Sequence, residues 1–391
     1  MCRRIVGLID MSRYAPGQPF NQLPPLPPAG FDPNTSLTVL RALIPARSSL
    51  AELAGLTASL PNPDLFLDLV ALREGQASSA IENLVTTQDE LYRAIAEGVL
   101  FAEEAPAHRT EGTTVKEVLR YREAMYEGYR LLRERPIINT TMCTRIVQQI
   151  KGRGIGVRTG PGTHIGRKDG TIVYTPPVGE DTLRGKLRDW ERYLNEGNET
   201  LEHDPLVAMA VAHYQFEAIH PFPDGNGRTG RIVNVLHLVR AGLLPSPILY
   251  LSGYINAHRT AYYRGLRAVT ESGAWESWVI YMLEAVTATS RETARDIRAI
   301  LELMTASLVE IREALGDRVP AERIRDLAFR NAYLKIGTLE REGIAKRETA
   351  SKYLHALTKD DGGPDLLRAE RRGRDVYFRN HRLLDVLSSG E

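Results

Sequence analysis

HPFPDGNGRTGR, running from His220 to Arg231, is the stretch on which the reading of this chain turns. It joins two segments of helical period. Upstream, LVAMAVAHYQFEAIH (Leu206 to His220) spaces Val207, Ala210, Val211, Tyr214 and Ile219 as one helix would, and predicts a buried helix. Downstream, RIVNVLHLVRAGL (Arg231 to Leu243) predicts a second helix that ends near Gly242. The turn between them holds a histidine, a carboxylate, an asparagine, two arginines and three glycines. Helix, anion-binding turn, helix is the expected arrangement.

Each residue type on the turn has a physical use. Gly225 and Gly227 tolerate positive φ and close approach, so successive N–H groups can point into one concavity. The next helix adds unpaired N–H groups and the positive end of its dipole. Arg228 and Arg231, three apart in the first turn, can clamp phosphate oxygens from one face. Asp224 is the one carboxylate, enough for Mg²⁺ carried on a nucleotide. His220, with an ordinary pKa of about 6.5, can take a proton from a hydroxyl. A histidine that merely caps its own helix is the plainer reading of His220 alone.

Other motifs fit less well. Gly225, Gly227 and Gly230 match G-x-G-x-x-G, but a helix rather than a strand precedes them. No P-loop pattern occurs, and His213 and His220 are seven apart, unlike the paired histidines of a zinc-peptidase helix. His213 and Glu217 are read as structural.

HPFPDGNGRTGR resembles the full signature of Fic-domain proteins, H-x-F-x-[DE]-G-N-G-R-x-x-R. The resemblance implies an enzyme that moves AMP from ATP to a Tyr, Thr or Ser hydroxyl of a protein, its own included, and releases pyrophosphate. It makes His220 the base, Phe222 a core anchor for the loop and Asp224 the Mg²⁺ ligand. Asn226, with the backbone of Gly225 and Gly227, would hold the α and β phosphates, and Arg228 and Arg231 the more distal ones. Thr229 and Gly230 complete the ATP-binding stretch. An intact glycine-asparagine-glycine core favours AMP over other transferred groups.

Far upstream, SSAIEN (Ser78 to Asn83) read alone is a serine-rich helical stretch with a solvated Glu82. Beside a Fic signature, Ser78, Glu82 and Asn83 look like the family's inhibitory motif, [ST]-x-x-x-E-[GN]. Glu82 would then pair with Arg231 and occupy the group needed by the γ-phosphate.

THIGRKDGTIVYTPP (Thr163 to Pro177) predicts a hairpin, with Asp169-Gly170 as the turn. In the family such a flap covers the nucleotide and pairs with an extended segment of the target, which places Thr163, His164, Ile165 and Gly166 along the ATP site. Tyr262 and Tyr263 resemble the family's adenine-side wall; an ordinary core pair is the competing reading. Thr270 stands where some relatives carry asparagine.

Composition agrees with a soluble enzyme. The chain has 391 residues, with 50 Lys plus Arg against 49 Asp plus Glu, so no global charge points to nucleic acid or membrane. Cys2 and Cys143 offer no disulfide framework, no apolar run reaches the ~20 residues that span a bilayer, and MCRRIVGLIDM is too short a signal. A cytoplasmic location is the default.

The fold expected is mainly α: a Fic helical core with a small β-hairpin flap, an N-terminal helical domain and a C-terminal winged-helix-like domain. Residues 1–109 would form an extended proline-rich arm, running over the surface through Pro33, and then helices with the inhibitory segment. Residues 110–300 would form the catalytic core, including an amphipathic helix over Leu183, Leu187, Trp190 and Leu194. Residues 301–391 would form the winged-helix-like domain. There Tyr333 to Glu342 and Arg347 to Leu357 predict two helices, and Arg368 to Asn380 a basic hairpin. Lys346, Arg347, Lys352, Arg371, Arg372 and Arg374 are candidate phosphate contacts if this part binds DNA; protein contact or a homodimer is an equal reading. Two further functions stay open: AMP removal at the same site, with Glu82 positioning water, and a DNA-binding regulator whose Fic core senses nucleotide.

Overall fold

The computed structural model describes residues 14–97, 110–166, 169–196, 203–373 and 375–388. Helices dominate. The chain opens with α1 (Leu37–Ala58), α2 (Pro63–Ile81) and α3 (Gln88–Glu97), followed by α4 (Thr110–Glu134) and α5 (Thr140–Lys151). A hairpin of β1 (Ile165–Gly166) and β2 (Ile172–Tyr174) leads into α6 (Glu180–Glu196), α7 (Pro205–Ile219), α8 (Asn226–Arg240), α9 (Leu251–Ala257), α10 (Arg259–Ser272) and α11 (Trp275–Leu315). The last part runs α12 (Ala321–Arg330), β3 (Tyr333–Leu334), α13 (Ile336–Arg341), α14 (Arg347–Ala356), β4 (Arg368–Arg372), β5 (Asp375–Arg379) and α15 (His381–Ser388).

Helix α7 is the central post. Asp204 caps its N-terminus by accepting from Leu206 N at 2.8 Å, and Pro205 occupies the first turn, where no N–H is required. Every residue of α7 except Glu217 is buried, as a helix apolar on all sides must be. Trp190 of α6 and Trp278 of α11 reach it from different helices and donate their indole N–H to the carbonyls of Ala212 (3.0 Å) and Ala210 (2.8 Å). Leu183, Leu187, Trp190 and Leu194 are all buried, as their spacing predicts.

Helix α8 starts at Asn226, more than a turn before the apolar period begins at Arg231. Glycines lower helix propensity in that first stretch, which hides it from a periodicity reading. Packing explains why Gly230 is there: a Cβ on it would lie 2.7 Å from Glu217 Oε1 and 3.2 Å from the Phe216 ring.

The proline-rich arm differs from a strand of chain passing over the surface. Phe20 and Leu23 are buried, Phe20 N donates to Thr175 O at 3.0 Å, and Gln215 of α7 donates to Pro24 O at 3.1 Å. The arm is docked along the hairpin's exit.

In the C-terminal part, Tyr333 and Leu334 are a strand and not the start of a helix. They pair antiparallel with Arg379 and Phe378, giving a three-stranded sheet of order β3-β5-β4. Both side chains are buried, and only α13 and α14 are left to form the helical pair. The predicted hairpin is β4 and β5, in register from Arg368 opposite Arg379 to Arg372 opposite Asp375. Helix α11 runs unbroken through position 300: its Trp278 and Met282 belong to the main core, and its Ile311 to a second core with Ile324, Leu339, Leu354 and Phe378. Among the described residues no helix is long and apolar enough to cross a membrane.

Candidate active site

The signature turn folds at the mouth of a cavity of about 1080 Å³. His220 ends α7 in the left-handed region, φ 49°, and its side chain lines the cavity. Arg158, on the segment after α5, sets that turn: its guanidinium donates to the carbonyls of His220 (2.7 Å), Ile219 (3.0 Å) and Pro177 (2.6 Å), and its own N–H donates to Pro221 O at 2.9 Å. Burial pushes the His220 imidazole down to about 4, against the Glu217 carbonyl, which favours the proton. At neutral pH the ring is an unprotonated base.

The loop is stapled from within. Asn226 Oδ1 accepts from Phe222 N at 2.8 Å and its Nδ2 donates to Phe222 O at 2.7 Å. Phe222 is fully buried against Phe216. The Asn226 amide is therefore committed to the backbone, so its part in a phosphate site is to shape the turn. Gly225 (φ 79°) caps α8 in the left-handed region with no side-chain capping bond, and the first helical bond is Thr229 N to Gly225 O at 3.0 Å. The N–H groups of Asn226, Gly227 and Arg228 precede that bond and form the concave donor set at the helix N-terminus.

Around this nest lies a charge network of three cations and three carboxylates. Arg231 Nε donates to Ser78 Oγ at 2.7 Å and its Nη2 to Ser78 O at 2.8 Å and Glu82 Oε1 at 3.1 Å. Arg228 Nε stands 2.7 Å from Glu82 Oε2, and its Nη1 donates to Glu117 Oε2 at 2.6 Å. Lys151 Nζ pairs with Asp224 Oδ2 at 2.8 Å and approaches Glu117 at 3.4 Å. Both arginines are buried, whereas Asp224 is 59 % exposed. Burial would raise the Asp224 carboxyl, but the Lys151 bond and charge and the Gly225 N–H hold it below its ordinary value. Glu217, beneath Gly230, is pushed up to about 7 by burial, with Arg231 opposing.

Ser78 and Glu82 thus meet Arg231, and Glu82 also meets Arg228, across a gap of 149 residues between Glu82 and Arg231, while Asn83 lines the same cavity. The end of α2 explains the pattern. Asn83 takes φ 65°, Leu84 N donates to Ser79 O at 3.0 Å and Asn83 N to Ala80 O at 2.9 Å. That is a Schellman ending, which needs glycine or asparagine at the left-handed residue. Glu82 is the cap residue, aimed at the cavity. Arg259 of α10 donates to the carbonyls of Ala80 (2.9 Å) and Ile81 (3.0 Å), supplying the cation that α2 itself lacks.

The hairpin carries His164, Ile165 and Gly166 to the cavity wall; Thr163 is not among the lining residues. Tyr262 and Tyr263 both line the cavity but differ in kind. Tyr262 is buried with its hydroxyl 2.9 Å from His213 Nε2, whereas Tyr263 is 50 % exposed. Only Tyr263 can offer a free face. Thr270 is buried, with Oγ1 3.0 Å from the Tyr214 hydroxyl. Lys151, Glu117, Arg158 and Arg259 were not singled out in the sequence. Each sits on a different element with no local pattern around it, so only the fold reveals them.

On α14, Arg347 and Lys352 are exposed, but Glu348 stands beside them and pairs with Lys352 at 2.9 Å. Arg372 pairs with Glu370 at 3.3 Å, Lys346 and Arg371 lie on the same end of the molecule's sequence, and Arg374 lies outside the described residues.

Three family models match successive stretches: the Fic/DOC family N-terminal region over residues 40–130, the Fic/DOC family over 138–238, and the SoFic-like protein adenylyltransferase C-terminal domain over 303–383. Protein adenylyltransferase fic-1 of Caenorhabditis elegans is 40% identical over 83 residues, 20% of this chain and 16% of that protein. Protein adenylyltransferase Fic of Aedes aegypti is 31% identical over 170 residues, 44% of this chain and 30% of that protein. The matched region thus spans less than a third of either relative. A crystal structure of a Fic family protein from Desulfovibrio desulfuricans shares the fold, with TM-score 0.51 and 22% identity, covering 86% of this chain and 95% of that one. With the signature turn folded over an arginine-lined cavity inside the second of three matches that follow one another along the sequence, the chain belongs to the Fic/DOC family.

Proposed function

We propose that the chain is a protein adenylyltransferase that moves AMP from ATP to a hydroxyl side chain and is held inactive by Glu82. One observation carries this reading: an unprotonated His220, an open helix N-terminus and two buried arginines share a single cavity. The hydroxyl gives its proton to His220 as its oxygen bonds to the α-phosphorus. The bond from that phosphorus to the α–β bridging oxygen breaks, and pyrophosphate leaves. The α8 N-terminus and Arg228 and Arg231 hold the phosphate oxygens and take up charge on the leaving group.

Asp224 fits Mg²⁺ brought by the nucleotide: it is exposed on the cavity, and its Lys151 partner has Glu117 as a second carboxylate. Among the described residues no cluster of three or more His, Cys, Asp or Glu could hold a metal alone, so phosphate oxygens and waters would complete the shell. When bound, the ion would neutralise phosphate charge.

Glu82 engages both arginines at once, so the distal phosphate must compete with a carboxylate already in place. Removing it leaves three cations against Glu117 and Asp224, a net positive site for polyphosphate. Pairing of both Glu82 oxygens also makes AMP removal, which needs one of them for water, the weaker reading. A target segment would pair with the edge of β1, because the arm covers the outer edge of β2. We further take residues 1–109, 110–300 and 301–391 as arm with inhibitory helices, core and winged-helix-like part. DNA as a partner gains little from α14, where Glu348 interrupts the basic face.

Intact mass measurement of wild type, Glu82→Gly and Glu82→Gly/His220→Ala after incubation with Mg²⁺-ATP and candidate targets tests base and brake together. An AMP adduct, strong in the single variant, weak in wild type and absent in the double variant, is expected. An adduct that survives loss of His220 would refute the assignment of the base.

A further inference from the structure

Two groups of side chains line the cavity. Lys151, Asp224, Arg228 and Arg231 are joined by ion pairs through Glu82 and Glu117, whereas Tyr14, Val173 and Tyr174 are joined by ring packing and a hydroxyl bond, with Arg267 also on the lining. If the adenylyl-transfer reading holds, the phosphates take the charged group and the flat, apolar-faced base takes the aromatic one. We propose that Tyr14, delivered by the N-terminal arm, is an aromatic wall of the base pocket.

Tyr14 lies outside all three matched stretches, the first of which starts at residue 40. Its placement is nonetheless tightly determined. The hydroxyl donates to Val173 O at 2.6 Å, which ties it to the hairpin. The ring packs edge-on against Phe20, centroids 5.5 Å apart, and lies near-parallel to Tyr174 at 6.3 Å and 26°. The arm behind it is secured at several points. Phe20 N donates to Thr175 O (3.0 Å), Thr175 Oγ1 to Pro16 O (2.6 Å) and Val178 N to Asn21 Oδ1 (2.9 Å). These contacts satisfy the outward carbonyls of Val173 and Thr175, so the arm serves the hairpin as a third strand would. The ring is therefore positioned before any ligand arrives, which lowers the ordering cost of stacking. Burial raises the Tyr14 hydroxyl above its ordinary value, which keeps it a neutral donor to Val173.

Calorimetric titration of the full chain with ATP and with inorganic tripolyphosphate tests this in wild type, Tyr14→Ala, Tyr14→Leu and Tyr14→Phe. Tyr14→Leu keeps apolar contact with Phe20 but removes both the aromatic face and the bond to Val173 O, whereas Tyr14→Phe removes that bond alone, so the pair separates loss of the ring from loosening of the arm. Loss of one stacking face should weaken ATP binding about tenfold in Tyr14→Ala and Tyr14→Leu, with tripolyphosphate affinity unchanged and Tyr14→Phe close to wild type. Equal ATP affinity in all four proteins overturns the proposal, as does an equal loss for ATP and tripolyphosphate. Wild type with no affinity for ATP overturns the adenylyl-transfer reading as well, an outcome distinct from ATP binding that ignores Tyr14.

Discussion

Among the described residues the Asn83 side chain bonds Arg259, at 3.4 Å, and not the signature turn, yet its replacement should release the enzyme. Its φ of 65° is the left-handed residue of the α2 ending, and two backbone bonds, Leu84 N to Ser79 O and Asn83 N to Ala80 O, depend on it. A β-branched residue held there costs about 1–2 kcal/mol. Asn83→Val can escape the strain only by giving up those bonds, which frees Glu82 from its fixed aim. If the strain is spent wholly on the closed ending, the open fraction rises about 5- to 30-fold. In an inhibited enzyme the AMP-transfer rate at saturating Mg²⁺-ATP should rise by the same factor, up to the ceiling set by Glu82→Gly. Asn83→Gly, which accepts the left-handed region freely, should stay at the wild-type rate. Rates of label transfer from α-phosphate-labelled ATP measure this directly. A wild-type rate in Asn83→Val, or an equal rise in Asn83→Gly, would refute the argument that backbone conformation at this residue holds the brake.

Arg158→Met keeps the volume but leaves the His220, Ile219 and Pro177 carbonyls short of donors; in a Glu82→Gly background it should lower kcat about 10- to 100-fold while ATP affinity stays within about threefold, because the base and not the phosphate site is displaced. The low pKa of His220 sets the acid limb: the Glu82→Gly rate should hold from pH 8 to about 5.5 and fall only towards 4, and a midpoint near 6.5 would contradict burial of the ring. Because the folded value lies below the unfolded one, stability linked to His220 is present above about 6.5 and is lost as pH falls towards 4, visible in melting curves across that window. Two glycine variants should part company. Gly230→Ala meets Glu217 and the Phe216 ring in the packed α7–α8 contact and should lower the melting temperature, whereas Gly227→Ala meets the movable ends of Arg231 and Glu82 and should change ATP affinity with little effect on melting.

The local elements could be read along the chain. Apolar period predicted α6 and α7, and the Asp169-Gly170 turn predicted the hairpin, because these depend on residues a few positions apart. Where two glycines diluted the helical signal, the start of α8 was placed late, and where Tyr333 and Leu334 pair with β5, a strand of two residues had no alternation to show. The turn's chemistry was equally local: His220, Asp224, Gly225, Arg228 and Arg231 announce an anion site by type and spacing. Tertiary packing decided the rest. It brought Glu82 onto two arginines instead of one, spent Asn226 on the loop backbone, turned Tyr262 into the core while leaving Tyr263 half exposed, and added Glu117, Lys151, Arg158 and Tyr14. Helix and turn patterns repeat over a few residues, but a carboxylate meets a guanidinium 149 positions away only because the end of α2 meets the start of α8, and no period along the chain records that meeting.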